Sequence, residues 1–257
     1  MKTIEESVVK ALDGNQPEIF QYLPYILQDF WELGSDPNTI IQLVKKHTDA
    51  RPGLQVLDLA CGKGAVSIKL AEATGCNCLG IDALEPFICA AAQKAAEHHV
   101  SYLCRFETSD IRTRIHSLHG FDVIILGSIG PVFGDMLQTL NAIKSALNHS
   151  GIIIIADGYN ADESSFSHPT LMKKTEVLKQ ISQAGMQLVD ETIYETDQET
   201  EALHRKEFAQ LEKRCHELMQ HHPDKQSLFA EYIENQRKEY EFIENDLICS
   251  AKVIKFI

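Results

Sequence analysis

VLDLACGKGA, residues 56–65, decides how the rest of the chain is read. An apolar run carries Asp58, Ala60 and Cys61 follow, and Gly62 and Gly64 stand on either side of Lys63 before a helical pattern begins. That order describes a strand passing through a glycine turn into a helix, the turn that opens a nucleotide site in a doubly wound sheet. Glycine adopts positive φ freely and lets a ligand come close to the backbone. A dinucleotide fingerprint would need G-x-G-x-x-G, whereas the third position here is Ser67. Ser67, together with an acid placed before the glycines, argues against an NAD-dependent oxidoreductase.

Outward from this turn, strands and helices alternate, the pattern of a parallel sheet with crossover helices. Strands are expected at 55–59, in CNCLGID ending on Asp82, at about 102–108, in FDVIILG, in IIIIADG and in MQLVDETIYE. FDVIILG and IIIIADG are continuous apolar runs, as central strands buried on both faces require. Helices are expected at 65–73, 86–98, 136–147 and 170–183, the first stopped by Gly75, the third by Ser150-Gly151 and the fourth by Gly185. Residues 1–50 read as helical, with a break at Pro24 and an Asp36 N-cap before Pro37. Residues 198–246 form a charged, helical insertion broken near His221-His222-Pro223, and the last strand occupies 247–257.

A chain of 257 residues can bury a substantial core as one domain with additions. The formal net charge of −13 disfavours a broad surface for polyanions, since phosphate contacts need clustered Lys and Arg. Nucleic acid is therefore not expected as a partner, and neither is a membrane: the longest aliphatic stretch, 152–156, is strand-sized. The N-terminal MKTIEESVVK carries acids and lacks the apolar core of a signal peptide, which points to a cytoplasmic protein. Seven scattered cysteines without a repeating spacing fit reduced thiols there. Cys76 and Cys78 are too close for a C-x-x-C and, at a strand end, are expected to face opposite ways. The histidine pairs His98-His99 and His221-His222 read as solvated helix faces, and no metal site is expected.

VLDLACGKG, GID, ETSDI, FDVIILGS and SGIIIIADG, in this order, resemble the successive motifs of the class I, Rossmann-like S-adenosylmethionine-dependent methyltransferases. The resemblance spans about residues 53–193 and the last strand. It implies an α/β fold with a doubly wound, seven-stranded, mostly parallel sheet closed by an antiparallel last strand. The expected organisation is a helical cap at 1–50, the cofactor domain at 51–197 and 247–257, and the insertion at 198–246.

The same resemblance implies S-adenosylmethionine as cofactor and S-adenosylhomocysteine as product. The turn at Ala60, Gly62 and Gly64 should hold the methionine end, with Asp58 meeting the ammonium group or ordering the loop. Asp82, at the end of the second strand and about 20 residues past the glycines, is placed to accept from both ribose hydroxyls, with Ala83 beside it. By resemblance Asp110 binds the adenine amino group and the Ile111 amide a ring nitrogen; the alternative for Asp110 is a helix N-cap. Gly127 ends the fourth strand beside the cofactor.

LGSIGPVFG after that strand carries neither the N-P-P-Y of adenine amino methylases nor a Pro-Cys nucleophile, and one acid, Asp157, is too few for a Mg²⁺ site. What remains is methyl transfer by positioning, to a small-molecule acceptor. Candidates near the acceptor are Asp135, Asp157, Tyr159 and His168; their alternatives are a helix cap, a strand-end turn and, for the last two, loop surface. Tyr22, Tyr25, Phe30 and Trp31 could wall the acceptor pocket or simply pack, and residues 15–35 could close as a lid. The rival functions are a protein or RNA methyltransferase of the same fold, and a module that binds the cofactor or its product without turnover.

Overall fold

In the computed structural model, residues 3–163 and 171–257 are described, and the candidate His168 lies outside them. Ahead of the sheet come α1 (Ile4–Ala11), α2 (Leu23–Ile26) and α3 (Pro37–His47). The alternating part runs β1 (Gln55–Leu59), α4 (Ala65–Thr74), β2 (Asn77–Asp82), α5 (Glu85–Glu97), β3 (Cys104–Thr108) and α6 (Ile111–Arg114). It continues with β4 (Phe121–Gly127), α7 (Met136–Ile143), β5 (Leu147–Asn160), α8 (Lys174–Gln183) and β6 (Met186–Ile193). The long helices α9 (Gln198–His221) and α10 (Gln226–Asn245) lead to β7 (Leu247–Phe256).

The strands form one seven-stranded sheet in the order β3-β2-β1-β4-β5-β7-β6. β1 pairs in parallel with β2 and β4, β2 with β3, and β4 with β5, while β7 runs antiparallel to β6. The expected α/β, mostly parallel doubly wound sheet is the one found. Val123, Ile124 and Ile125 of β4 and Ile152, Ile153 and Ile154 of β5 are fully buried, which is why both runs are apolar without alternation. Strand order reverses between β1 and β4, and a crevice at that switch point, outside the carboxyl ends, is where doubly wound sheets take their ligands.

The chain divides into two compact units, Met1–Phe30 with Tyr194–Ile248, and Trp31–Ile193 with Cys249–Ile257. The first thirty residues thus group with the insertion, and α3 belongs to the sheet unit. Within the helical unit, Arg214 pairs with Asp29 and Glu217, and the Tyr25 hydroxyl donates to Glu217 at 2.7 Å. The Tyr22 ring packs edge-on to Phe229 with centroids 5.0 Å apart. Packing inside this unit therefore accounts for both tyrosines. No helix among the described residues is long and apolar enough to cross a membrane.

Two local readings change. α7 ends at Ile143 in a short 3₁₀ turn, and Ser150-Gly151 lie inside β5 instead of stopping a helix. Gly151 is there for close approach: a Cβ would stand 2.7 Å from Leu147 Cδ1 and 2.8 Å from the Asp122 carbonyl, where the β4–β5 register shifts. Cys76 and Cys78 do not diverge; their Sγ atoms are 3.5 Å apart and buried, because residues two apart share a face of a strand.

The turn after β1 has Ala60, Gly62 and Gly64 at φ of 56°, 55° and 74°. Gly64 also lacks space, since a Cβ would lie 2.7 Å from the Phe106 ring and 3.0 Å from Ala91 Cβ. Ala60 holds the left-handed conformation with a side chain, a strain of about 1 kcal/mol. Gly64→Ala is expected to destabilise the fold by about 2 kcal/mol or more, through overpacking added to backbone strain. Ala60→Gly should leave stability unchanged or raise it by up to about 1 kcal/mol. Urea unfolding of the two variants beside the parent checks both signs.

Candidate active site

The site begins with two carboxylates at the ends of neighbouring strands. Asp82 accepts the Gly62 amide at 2.9 Å through one oxygen and the Leu84 amide at 2.9 Å through the other. The last residue of β2 thus clamps the glycine turn that follows β1, and the Cys61 amide adds a bond to the Ile81 carbonyl at 3.1 Å. Asp58 accepts the Ser67 hydroxyl at 2.7 Å. Ser67, where a dinucleotide fingerprint has its third glycine, is the partner of the acid that precedes the turn. Only 3% of Asp58 and 7% of Asp82 is exposed. Burial pushes the Asp58 carboxyl up to about 6, against the Ser67 bond, with the Asp82 charge adding to the rise. Burial raises Asp82 as well, against its backbone donors.

The neighbouring strand ends complete the crevice. The Ser109 amide donates to the Asp82 carbonyl at 2.9 Å, tying the loop after β3 to β2. Asp110 caps α6 by accepting the Arg112 amide at 2.9 Å, and its carboxylate also receives the Arg112 guanidinium at 2.7 Å, which lowers it below the usual range. Capping is thus its role in the geometry, and contact with an adenine amino group would add a further donor. Ile111 is buried beside it. Ala83 joins Asp82 to the Leu84 amide that Asp82 holds. Past Gly127, Ser128 turns to a φ of 55° and donates its amide to the Ala156 carbonyl at 2.7 Å.

A strap whose position sequence reasoning did not give runs across the ends of β1 and β4. Trp31 donates its indole N–H to the Lys63 carbonyl at 3.1 Å, inside the glycine turn. The indole itself is held by the ammonium groups of Lys69 and Lys94, 5.3 and 5.5 Å from the ring, and by the His98 ring at 4.8 Å. Leu33 lies against Gly62, where a Cβ would stand 3.4 Å from its Cδ1. Gly34, at a φ of 81°, presses on the end of β4: a Cβ would lie 2.8 Å from Ser128 Cβ. WELGS carries no periodic signal, so the sequence offered Trp31 as a pocket wall or a packing residue and did not place it on the glycine turn.

On the far side of β4, a cleft of about 190 Å³ opens at the ends of β4 and β5. Its wall is largely apolar, with Leu126, Ile129, Met136, Ile155 and Met172, and it carries Asp135, Asp157 and Lys252. Asp135 is committed to a capping box on α7, accepting the Gln138 amide at 2.9 Å. Asp157 accepts the Gly158 amide at 2.8 Å. Tyr159 is not loop surface; it is a buried β5 residue whose ring lies between the Lys252 and Lys174 ammonium groups, at 4.9 and 5.4 Å. Lys252 of β7, which the sequence did not single out, donates to the Asp157 carbonyl at 2.9 Å, and burial lowers its pKa. Among the described residues no group of three or more His, Cys, Asp or Glu side chains is placed to hold a metal ion.

The residues fit an amino-acid-bearing nucleoside. The turn of positive-φ residues leaves its backbone approachable, and two buried carboxylates supply acceptors for hydroxyl or ammonium donors. Among the described residues the buried Ser35 hydroxyl beside Gly127 finds no hydrogen-bond partner.

The raised Asp58 makes stability depend on pH. A carboxyl with a folded pKa above its unfolded value stabilises the fold fully below about 3.8, and that contribution is lost as pH rises through about 6. A shift of that size amounts to about 3 kcal/mol. Asp58→Asn should therefore raise the Tm of the ligand-free protein at pH 8 and leave it close to the parent value at pH 4. Asp13 in the helical unit is also pushed up, to about 7, so the difference between the two proteins, rather than either curve, isolates Asp58. Thermal unfolding across pH 4–8 checks this; a variant less stable than the parent at pH 8 contradicts it.

Residues 50–245 match the family described as a methyltransferase domain. The nocamycin O-methyltransferase of Saccharothrix syringae is 33% identical over 90 residues, which cover 34% of this chain and 32% of that protein. The chain thus aligns with about a third of that relative's length. Among solved structures, a SAM-dependent methyltransferase from Geobacter sulfurreducens in complex with S-adenosyl-L-homocysteine superposes with a TM-score of 0.73 at 17% identity, covering 92% of this chain and 98% of that one. The [4+2]-cyclase SpnF shares the fold as well, at a TM-score of 0.68 and 15% identity over 92% of this chain and 94% of its own. The sheet order, the clamped glycine turn and the match over most of its length agree, and this chain belongs to the methyltransferase-domain family.

Proposed function

We propose that the protein methylates a small molecule seated in the cleft beyond β4 and β5, without a metal ion. The observation that supports this is the cleft itself: about 190 Å³, mostly apolar, and bounded by the loop after β4, which also borders the cofactor crevice. Bound S-adenosylmethionine supplies an already activated methyl group, so the chain has mainly to orient the acceptor and exclude water. Apolar walls from Ile129, Met136 and Met172 do both. Asp157, at the end of β5, is the carboxylate on the wall that could take a proton from an acceptor that arrives protonated. Asp135 holds α7 instead, and buried Tyr159 supports Lys252. The O-methyltransferase named among the relatives and the acidic charge balance agree with a small acceptor. A cytoplasmic location is part of the same reading.

Labelled methyl groups from S-adenosylmethionine should appear in the low-mass fraction of a cell extract treated with the protein. Thr139→Trp, which fills the cleft from α7, should abolish that transfer while leaving S-adenosylhomocysteine affinity within about twofold. Label in precipitable protein or RNA, insensitive to Thr139→Trp, would overturn the small-molecule reading. Turnover should persist in excess chelator, since the cleft offers two carboxylates and one is a helix cap; loss of activity that Mg²⁺ restores would contradict it.

Asp82→Ala should weaken both S-adenosylmethionine and S-adenosylhomocysteine by roughly ten- to a hundredfold, the worth of charge-assisted hydrogen bonds. Part of the loss comes from the glycine turn, which would lose the clamp on the Gly62 amide. Titration calorimetry on parent and variant reads the change directly.

A further inference from the structure

Lys252 is a cation that the sheet buries without an anion to match. Only 3% of it is exposed, and its ammonium donates to the Asp157 carbonyl at 2.9 Å and, over a longer 3.4 Å, to the Ser250 carbonyl. The Tyr159 ring lies 4.9 Å away. An ammonium has three donors, and among the described residues no oxygen takes the third. Glu191 of β6 stands opposite Lys252 in the strand register, yet it is engaged elsewhere: Lys174 and the Ser250 hydroxyl both donate to it at 2.8 Å. A buried charge without a close counter-charge is one of the costlier things a fold can keep, and such groups gather at functional sites.

That charge belongs to the wall of the cleft, where Lys252 stands with Asp157. Because the ammonium bonds the carbonyl of Asp157 itself, a fixed donor and a carboxylate share one patch of a largely apolar wall. Burial favours the neutral amine, and the charges of Asp157 and Glu191 oppose it. An anion forming in the cleft would oppose it further.

This pairing selects among acceptors. A carboxylate or phosphate would arrive already charged against Asp135 and Asp157. An amine has no use for the spare donor of Lys252. A thiol offers sulfur, a weak hydrogen-bond acceptor. A hydroxyl arrives neutral and develops negative charge only as it reacts, which is when a fixed donor stabilises it most. Phenols and enols are the hydroxyls acidic enough to give a proton to a carboxylate, and their carbon frames suit walls such as Ile129, Met136 and Met172.

We propose that the acceptor is a phenol or an enol, and that Lys252 is a catalytic residue whose spare donor bonds the oxygen that is methylated. The hydroxyl proton passes to the Asp157 carboxylate. The oxygen lone pair forms the new C–O bond as the S–CH3 bond breaks, its electrons staying on sulfur, and Lys252 keeps its proton throughout. The inference rests on the small-molecule reading of the cleft and goes beyond it by naming the reacting group and the residue that stabilises it.

The test uses the full chain, S-adenosylmethionine carrying carbon-13 in its methyl group, and the low-mass fraction of a cell extract. Carbon NMR of the product should place the new methyl on an oxygen attached to an aromatic or olefinic carbon. A methyl on nitrogen, sulfur, carbon or a carboxylate would overturn the inference and leave the small-molecule reading standing. Label found only in protein or RNA would fall on that reading instead, and the inference would go with it. A dilution series of the same fraction then separates binding from chemistry. Lys252→Gln, which keeps a donor for the Asp157 carbonyl without the charge, should lower the saturating rate by roughly a hundredfold or more and hold the half-saturating amount within about threefold. Its S-adenosylhomocysteine affinity, read by calorimetry, should match the parent within about twofold. If that variant fails to bind S-adenosylhomocysteine, Lys252→Met, an apolar chain of similar length, carries the same expectations. A saturating rate within about tenfold of the parent in a variant that binds S-adenosylhomocysteine would overturn the inference, and so would a loss confined to the half-saturating amount.

Discussion

One hydrogen bond organises the sheet unit's working edge: the Gly62 amide to the Asp82 carboxylate at 2.9 Å. Parallel strands bring β1 and β2 side by side, but their pairing ends at Leu59 and Ile81, before the turn that a ligand must meet. Beyond that point, the shape of the turn depends on local contacts. Asp82 supplies the chief one, holding Gly62 with one oxygen and the start of α5 with the other. The turn can then keep three left-handed residues at alternate positions, one of them an alanine, that an unsupported loop would relax. Since each carboxylate oxygen has more than one lone pair, this duty leaves acceptor capacity for ribose hydroxyls.

Placing two acids at the same edge has an electrostatic consequence. Asp58 and Asp82 are both buried and repel one another, so the ligand-free site holds them against their tendency to ionise. A site prepared in this way is destabilised without its ligand and relieved by a donor-rich or cationic one, which is how stability is exchanged for binding at functional positions. Ser67 offsets part of the cost to Asp58 without neutralising it.

How much of this was legible in the sequence follows from where the signals are local. The turn, Asp58, Asp82 and the central strands could be read because strand patterning, glycine conformation and spacing along the chain fix them together. Asp36 could be read as a cap because the motif is complete within four residues. Ser150-Gly151 misled because a glycine that allows two strands to approach is indistinguishable, in one dimension, from one that stops a helix. The grouping of residues 1–30 with 194–248 was out of reach: ion pairs such as Arg214 with Asp29 join positions that no sequence period connects.

The acceptor side was out of reach for a related reason. The crevice beside the glycine turn is built by β1 to β4 and their immediate turns, a continuous stretch of the chain. The cleft is assembled instead from the loop after β4, the start of α7, the end of β5, α8 and β7, and its buried cation comes from Lys252, close to the chain's last residue. Residues drawn from such separate places are free to vary independently of the cofactor turn, so one fold can serve different acceptors, and a cyclase as well. On the proposed reading, donor and acceptor meet at the loop from Gly127 to Pro131, where the end of β4 faces Ser35 on one side and the cleft on the other. If the cleft takes the acceptor as proposed, specificity lies in that loop and in what Lys252 and Asp157 leave open beside it.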